Sequence, residues 1–196
     1  MKRVAVLISG RGSNLQSLIA AQDESYRIVL VVSNVEGAAG LEKARAAGIA
    51  TTVIPHLGKT RETFDAEVDH ALRAGGAELL VLAGFMRILS YGFARAWEGR
   101  LINIHPSLLP AYKGTRVHER VIEAKEAFSG ASVHFVVPEL DAGPVIAQTS
   151  VPVHPSDTPE TLADRVLGVE HRLYPEALKM LACGKVKLEN GLAVFS

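Results

Sequence analysis

Three short runs, Val4–Ile8, Ile28–Val32 and Leu79–Leu82, are apolar at every position; the first two stop at serine and the third at Ala83-Gly84. A strand with one wet face alternates; a strand apolar on both sides has to be covered on both, the signature of a parallel sheet between helices. The segments between the runs supply that cover. Leu15, Leu18 and Ile19 share one helical face. Gly40–Ala47 is rich in Ala, Lys and Glu and is closed by Gly48, and Arg61–Arg73 turns Phe64, Val68, Ala71 and Leu72 inward before Gly75-Gly76 breaks it. Thr51–Ile54 reads as a short strand, and a short helix over Tyr91–Trp97 leads to a further strand at Leu101. The fold class expected is α/β: a doubly wound, mostly parallel, Rossmann-like sheet with helices on both faces.

The second half changes character. Val117–Phe128 reads as a helix, Ser132–Val137 and Val145–Val153 as strands joined through Leu140–Pro144, and Thr158–Ala182 as a long helix interrupted near Tyr174-Pro175. Thr158 followed by Pro159 fits a cap with proline at the first helical position. Lys185–Leu188 and Leu192–Phe195 flank Glu189-Asn190-Gly191, a hairpin turn, which gives an antiparallel C-terminal extension. With no linker or repeat, residues 1–196 read as one domain.

Lys plus Arg equals Asp plus Glu at 21 each, so the net charge is +0 and no basic field for nucleic acid is expected. The lone Cys183 excludes an intrachain disulfide and a cysteine-based metal site. No run approaches the ~18 apolar residues that span a bilayer. Val4–Ile8 is too short for the core of an export signal. A cytoplasmic protein with no membrane partner is expected. His118, His134, His154 and His171 match no common metal spacing and read as structural or solvent-facing, so no metal is expected.

The chemistry lies in the connections. In an extended chain residues i and i+2 point the same way, so Leu101-Ile102-Asn103-Ile104-His105 would aim an amide and an imidazole at one small volume. Pro106 keeps His105 extended. That pair suits a reaction in which charge appears on an oxygen while a proton moves; read blandly, it is a strand end and a packed histidine. Ser9-Gly10-Arg11-Gly12-Ser13-Asn14, between a strand and a helix, offers free N–H groups and the positive end of a helix dipole to an anion, or else is a tight turn with a cap. Asp141 is either a turn residue or a carboxylate that orients His105 across 36 residues of sequence. Ala83–Ser90 is either core or the wall of an apolar pocket.

Together, Ile8–Leu15, Leu82–Ser90, Asn103–Pro110, Ser132–Val136, Leu140–Pro144 and Glu170–Pro175 resemble, in order and over nearly the whole chain, the phosphoribosylglycinamide formyltransferase family, folate-dependent enzymes of purine synthesis. The resemblance implies a phosphate-binding half, 1–100, and a catalytic and folate-binding half, 101–196. It implies 10-formyltetrahydrofolate as co-substrate and the amine of 5′-phosphoribosylglycinamide as acceptor. Gly12, Ser13 and Asn14 would bind the phosphoribosyl group and Glu170 the ribose. Arg61, Met86, Arg87, Ile88, Leu89, Asn103, Val137, Leu140 and Asp141 would bind the folate. Asn103, His105 and Asp141 match the catalytic trio. Partners would be small molecules alone, with a monomer or homodimer as the assembly. Two departures stand out: Arg116 occupies a position where many relatives have histidine, and Lys125 follows Ala124 where glycine is often found.

Two alternatives remain at this point. One is another 10-formyltetrahydrofolate enzyme, a deformylase or one with a different acceptor. A deformylase typically carries an N-terminal regulatory domain and a methionyl-tRNA formyltransferase an extra C-terminal one, and neither is expected from this length. The other is a non-catalytic phosphate-binding module, which gives Asn103, His105 and Asp141 no reason to converge.

Overall fold

The computed structural model describes residues 1–196. Five parallel strands are built first: β1 (Lys2–Ile8), β2 (Tyr26–Ser33), β3 (Ala50–Val53), β4 (Leu79–Leu82) and β5 (Leu101–His105). β6 (Phe128–Phe135) and β7 (Val145–Pro152) add antiparallel pairings, and the seven-stranded order is β3-β2-β1-β4-β5-β6-β7. The chain thus runs outward from β1 to β3, then returns to place β4 on the other side of β1. That reversal opens a crevice beyond the carboxyl ends of β1 and β4, where ligands of open α/β sheets bind.

The continuous apolar runs are buried on both faces, as their composition requires. On one face Val4, Val6, Ile8, Val31, Val81, Ile102 and Ile104 pack with α1 (Ser13–Ala20), α2 (Ala39–Ala46), α5 (Val117–Glu123) and α6 (Pro159–Ala182). On the other, Ala5, Leu7, Val32, Leu80, Leu82 and Leu101 pack with Phe64, Val68 and Leu72 of α3 (Arg61–Ala74) and with Phe93 and Trp97 at α4 (Tyr91–Ala96). Burial of this kind stabilises by about 25 cal/mol per Å² of apolar surface, before conformational entropy is set against it. β8 (Val186–Glu189) and β9 (Leu192–Phe195) form the expected hairpin; Asn190 and Gly191 both take positive φ, as a type I′ turn demands. No helix is long and apolar enough to cross a membrane.

Two expectations change. The helix read over Val117–Phe128 stops at Glu123, and Phe128 opens β6. Glu126 N–H donates to Val121 O and Lys125 N–H to Ile122 O, with Lys125 at φ 52°: a left-handed helix terminus without its usual glycine. The interruption near Tyr174-Pro175 does not occur either; α6 runs unbroken through Pro175. Proline removes one N–H from the ladder, and the packing of buried Leu173, Tyr174, Pro175, Ala177 and Leu178 outweighs that loss.

Candidate active site

β5 delivers its two polar side chains as the i, i+2 rule requires: Ile102 and Ile104 go to one core, while Asn103 and His105 face the other way. In register with them on β6 stand His134, opposite Asn103, and Ser132, opposite His105. Asn103, His105 and His134 line a cavity of about 620 Å³. Its walls come from three connections: Gly84–Leu89 after β4, Gly114–Glu119 entering α5, and Val136–Asp141 after β6.

Asp141 reaches this cavity because its loop folds tightly back onto β6. Gly143 makes that possible: a Cβ there would lie 1.7 Å from the carbonyl oxygen of Phe135. Asp141 itself takes φ 49°. Its Oδ2 accepts the Gly114 N–H at 2.8 Å and lies 3.5 Å from His105 Nδ1, while its Oδ1 lies 3.8 Å from His134 Nε2. His105 Nε2 is 2.9 Å from the Tyr112 carbonyl, which can only accept, so Nε2 carries a proton. Nδ1 then attracts the carboxylate only when it is protonated too.

His134 is almost wholly buried, and burial pushes its pKa below the ordinary value. Its Nδ1 lies 2.8 Å from the Phe135 carbonyl and so bears the ring's proton; Nε2 therefore accepts from Asn103 Nδ2 at 3.2 Å. The second N–H of the Asn103 amide makes no bond within the protein, and Asn103 lines the cavity. His118 also lines the cavity, with its buried Nδ1 unpartnered. Both His134 and His118 read from the sequence as structural or solvent-facing, and both line the cavity. His134 was visible only through its strand pairing; His154 and His171 stay outside the cavity.

The other predicted residues divide. Met86, Arg87, Ile88, Leu89, Val137 and Leu140 all line the cavity, and Met86 and Ile88 are exposed on its rim. Arg61 does not line it; it stands exposed on the first turn of α3, where its charge weakly opposes the burial that raises the Asp65 carboxyl. Gly12, Ser13, Asn14 and Glu170 form a second cluster outside that cavity. Gly12 takes φ 66° as the N-cap of α1, and a Cβ on it would lie 2.6 Å from the Gly40 Cα. The first intrahelical bond runs from Gln16 N–H to Gly12 O, which leaves the N–H groups of Ser13, Asn14 and Leu15 ahead of it. No acidic residue sits in that first turn. Asn14 Nδ2 donates to Glu170 Oε2 at 2.7 Å, while Asn14 Oδ1 is buried without a protein partner. Desolvation pushes the Glu170 carboxyl above the usual range, with the Asn14 bond opposing it. Free N–H donors meet an anion, and beside them carboxylate and amide oxygens accept from hydroxyls: the inventory suits a sugar phosphate.

A family model described as "Formyl transferase" matches residues 2–178. The chain belongs to the formyl transferase family. The phosphoribosylglycinamide formyltransferase of Escherichia coli is 45% identical over 97% of this chain and 92% of its own length. The trifunctional purine biosynthetic protein adenosine-3 of Bos taurus is 51% identical over 96% of this chain, which spans 19% of that longer relative. Among solved structures, the phosphoribosylglycinamide formyltransferase of Coxiella burnetii superposes with a TM-score of 0.94 at 43% identity, covering 99% of this chain and 93% of that one. The glycinamide ribonucleotide transformylase 1 of Symbiobacterium toebii superposes with a TM-score of 0.95 at 39% identity, over 100% and 94%. The mostly parallel sheet and its antiparallel additions are the architecture of these formyl transferases.

Proposed function

We propose that this formyl transferase carries the formyl group of 10-formyltetrahydrofolate to the amine of 5′-phosphoribosylglycinamide, a step of purine synthesis. One observation carries the reading: Asn103, His105 and Asp141 converge on a single cavity with an apolar rim, at the strand ends that also bear the Gly12–Asn14 loop. A bare phosphate-binding module has no use for that convergence.

Gly12, Ser13 and Asn14 hold the phosphoribosyl group at the amino end of α1, and Glu170 accepts from the ribose hydroxyls. The pterin lies in the cavity between the Met86–Leu89 and Val137–Leu140 walls, and Arg61, outside that cavity, is kept as a folate contact on the family resemblance alone. The amine attacks the formyl carbon; a C–N bond forms and the carbonyl electrons move onto oxygen. The free N–H of Asn103 donates to that oxyanion, and the imidazolium of His105 stabilises it by charge. Asp141 sets its carboxylate against His105 Nδ1. It also takes up the amine's proton and passes it to the folate nitrogen as the bond to the formyl carbon breaks. Loss of one such oxyanion donor costs about 10²–10³ in turnover.

The test is direct: mix the protein with 5′-phosphoribosylglycinamide and a 10-formyl folate, and follow the folate absorbance. Loss of the formyl folate only when the amine substrate is present supports transfer. Loss at the same rate without it means hydrolysis, and no loss at all removes the assignment.

A further inference from the structure

The Gly84–Leu89 wall is fastened from outside at both ends. At the far end, Ser90 N–H donates to Asp65 Oδ2 at 2.5 Å. At the near end, Ser9 takes both roles: its N–H donates to Gly84 O at 3.1 Å, and its Oγ accepts the Met86 N–H at 2.8 Å. Between these fastenings Met86 is 82% exposed and Ile88 54% exposed. Phe85 and Leu89 seat the wall on the core and Arg87 lies over the Phe64 ring, while at Met86, whose own side chain is exposed, the backbone is held by the Ser9 hydroxyl.

Ser9 is placed where such a fastening matters. It follows β1 at the crevice between β1 and β4, and its chain neighbour Gly10 begins the loop that leads to Gly12–Asn14. Its hydroxyl is not free to rotate. Oγ–H donates to Asn34 Oδ1 at 2.6 Å, which turns a lone pair rather than the proton toward Met86. Asn34, 5% exposed, is itself held: its Nδ2 lies 3.1 Å from His56 Nδ1. The ends of β1, β2 and β4 are thereby joined through two short side chains.

We propose that Ser9, aligned by Asn34, is a positioning residue for the formyl-folate side of the reaction: it holds the wall's backbone at Met86, and it fixes that wall to the start of the sugar-phosphate loop. The identity of the ligand rests on the proposed function; the fastening rests on the geometry alone.

The experiment compares wild type, Ser9→Ala and Ser9→Thr in steady-state kinetics with each substrate varied, together with calorimetric titration of 5-formyltetrahydrofolate and thermal melting. Loss of one hydrogen bond of ordinary strength predicts that Ser9→Ala raises the folate KM and Kd by about 5-fold. The KM for the phosphoribosyl amine and kcat stay within about 2-fold, and Ser9→Thr, which keeps the hydroxyl, recovers most of the folate affinity. Unchanged folate affinity in Ser9→Ala overturns the proposal. So does a parallel rise in both KM values with a lower melting temperature that threonine does not rescue. If Ser9→Ala does not fold, Asn34→Ala carries the same comparison, with a selective loss of folate affinity again required. A wild-type protein that neither binds the folate nor transfers the formyl group overturns the functional reading as well, whereas an active wild type with an indifferent Ser9→Ala overturns this inference alone.

Discussion

His105 and Asp141 lie 36 positions apart in sequence, yet Nδ1 of one stands 3.5 Å from Oδ2 of the other, with both side chains 7% exposed. At that depth the carboxylate acts on the imidazole through little intervening water, and its attraction is far stronger than at a surface. Asp141→Asn keeps an oxygen for the Gly114 N–H and so keeps the loop. It removes the charge that pairs with His105. Turnover is expected to fall by about 10²-fold or more, the scale of a lost general acid–base group, with the melting temperature nearly unchanged. Formyl transfer at the wild-type rate by Asp141→Asn would contradict the role given to the carboxylate.

His134 is the neutral member of the site. Its pKa is lowered, chiefly by burial, so the native state resists protonating it while the unfolded chain does not. Below the ordinary histidine value of about 6.5 the unfolded state therefore binds more protons, and this group's contribution to stability falls as the pH drops. His134→Ala should lower kcat by about 5–10-fold through the lost acceptor for Asn103. Wild type should melt above the variant at neutral pH, and that gap should narrow on acidification. A gap that widens toward acid pH would reverse the sign argued here.

Ser13 presents its N–H and hydroxyl at the amino end of α1. Ser13→Ala removes only the hydroxyl. The KM for the phosphoribosyl substrate should rise by about 5–10-fold, one ordinary hydrogen bond, with the folate KM unmoved. Initial rates with each substrate varied in turn decide it, and equal changes in both would count against the phosphate assignment.

Glu170 sets stability against binding. A raised carboxyl pKa means that the folded state holds the proton more tightly than the unfolded one, so stability is lost as pH rises from the ordinary carboxylate range through the folded value. Glu170→Gln keeps an acceptor for Asn14 without the buried charge. It should melt a few degrees higher near neutral pH, roughly 2–4 °C for each kcal/mol gained, and lose that advantage below about pH 4. The same variant should bind the phosphoribosyl substrate less tightly.

Lys125 holds a left-handed conformation at φ 52° at the end of α5. A side chain there costs about 1–2 kcal/mol that glycine avoids. Lys125→Gly should raise the melting temperature by roughly 2–8 °C and leave the kinetics alone. A lower melting temperature would mean that the lysine makes a compensating contact.

The parallel sheet was legible because burial on both faces forbids alternation, and Leu79–Leu82 and Leu101–His105 have the bounds read for them. The Asn103–His105 pairing followed from the pleat alone. The misread elements turned on tertiary effects: Lys125 takes a glycine's conformation, and Pro175 stays helical because its neighbours are buried. Asp141 needed the fold to reach His105, and His134 needed the pairing of β5 with β6. Ser9 stood inside the glycine-rich motif but was marked there only as part of an anion loop, and Asn34 and Asp65 carried no signal, since holding backbone groups is a role that no residue pattern marks.

Helix α6 brings Glu170 to Asn14 and, one turn later, Tyr174 to the carbonyls of Leu82 and Ile102, at 2.7 and 3.2 Å. The rise between those two residues is about 6 Å. A stiff rod thus gauges the span from the sugar-side carboxylate to the strand that bears the amide and the imidazole. Under the proposed reaction, the separation of nucleophile and electrophile is calibrated before either reactant arrives, and shortening or kinking the rod would detune their encounter without touching a single reacting group.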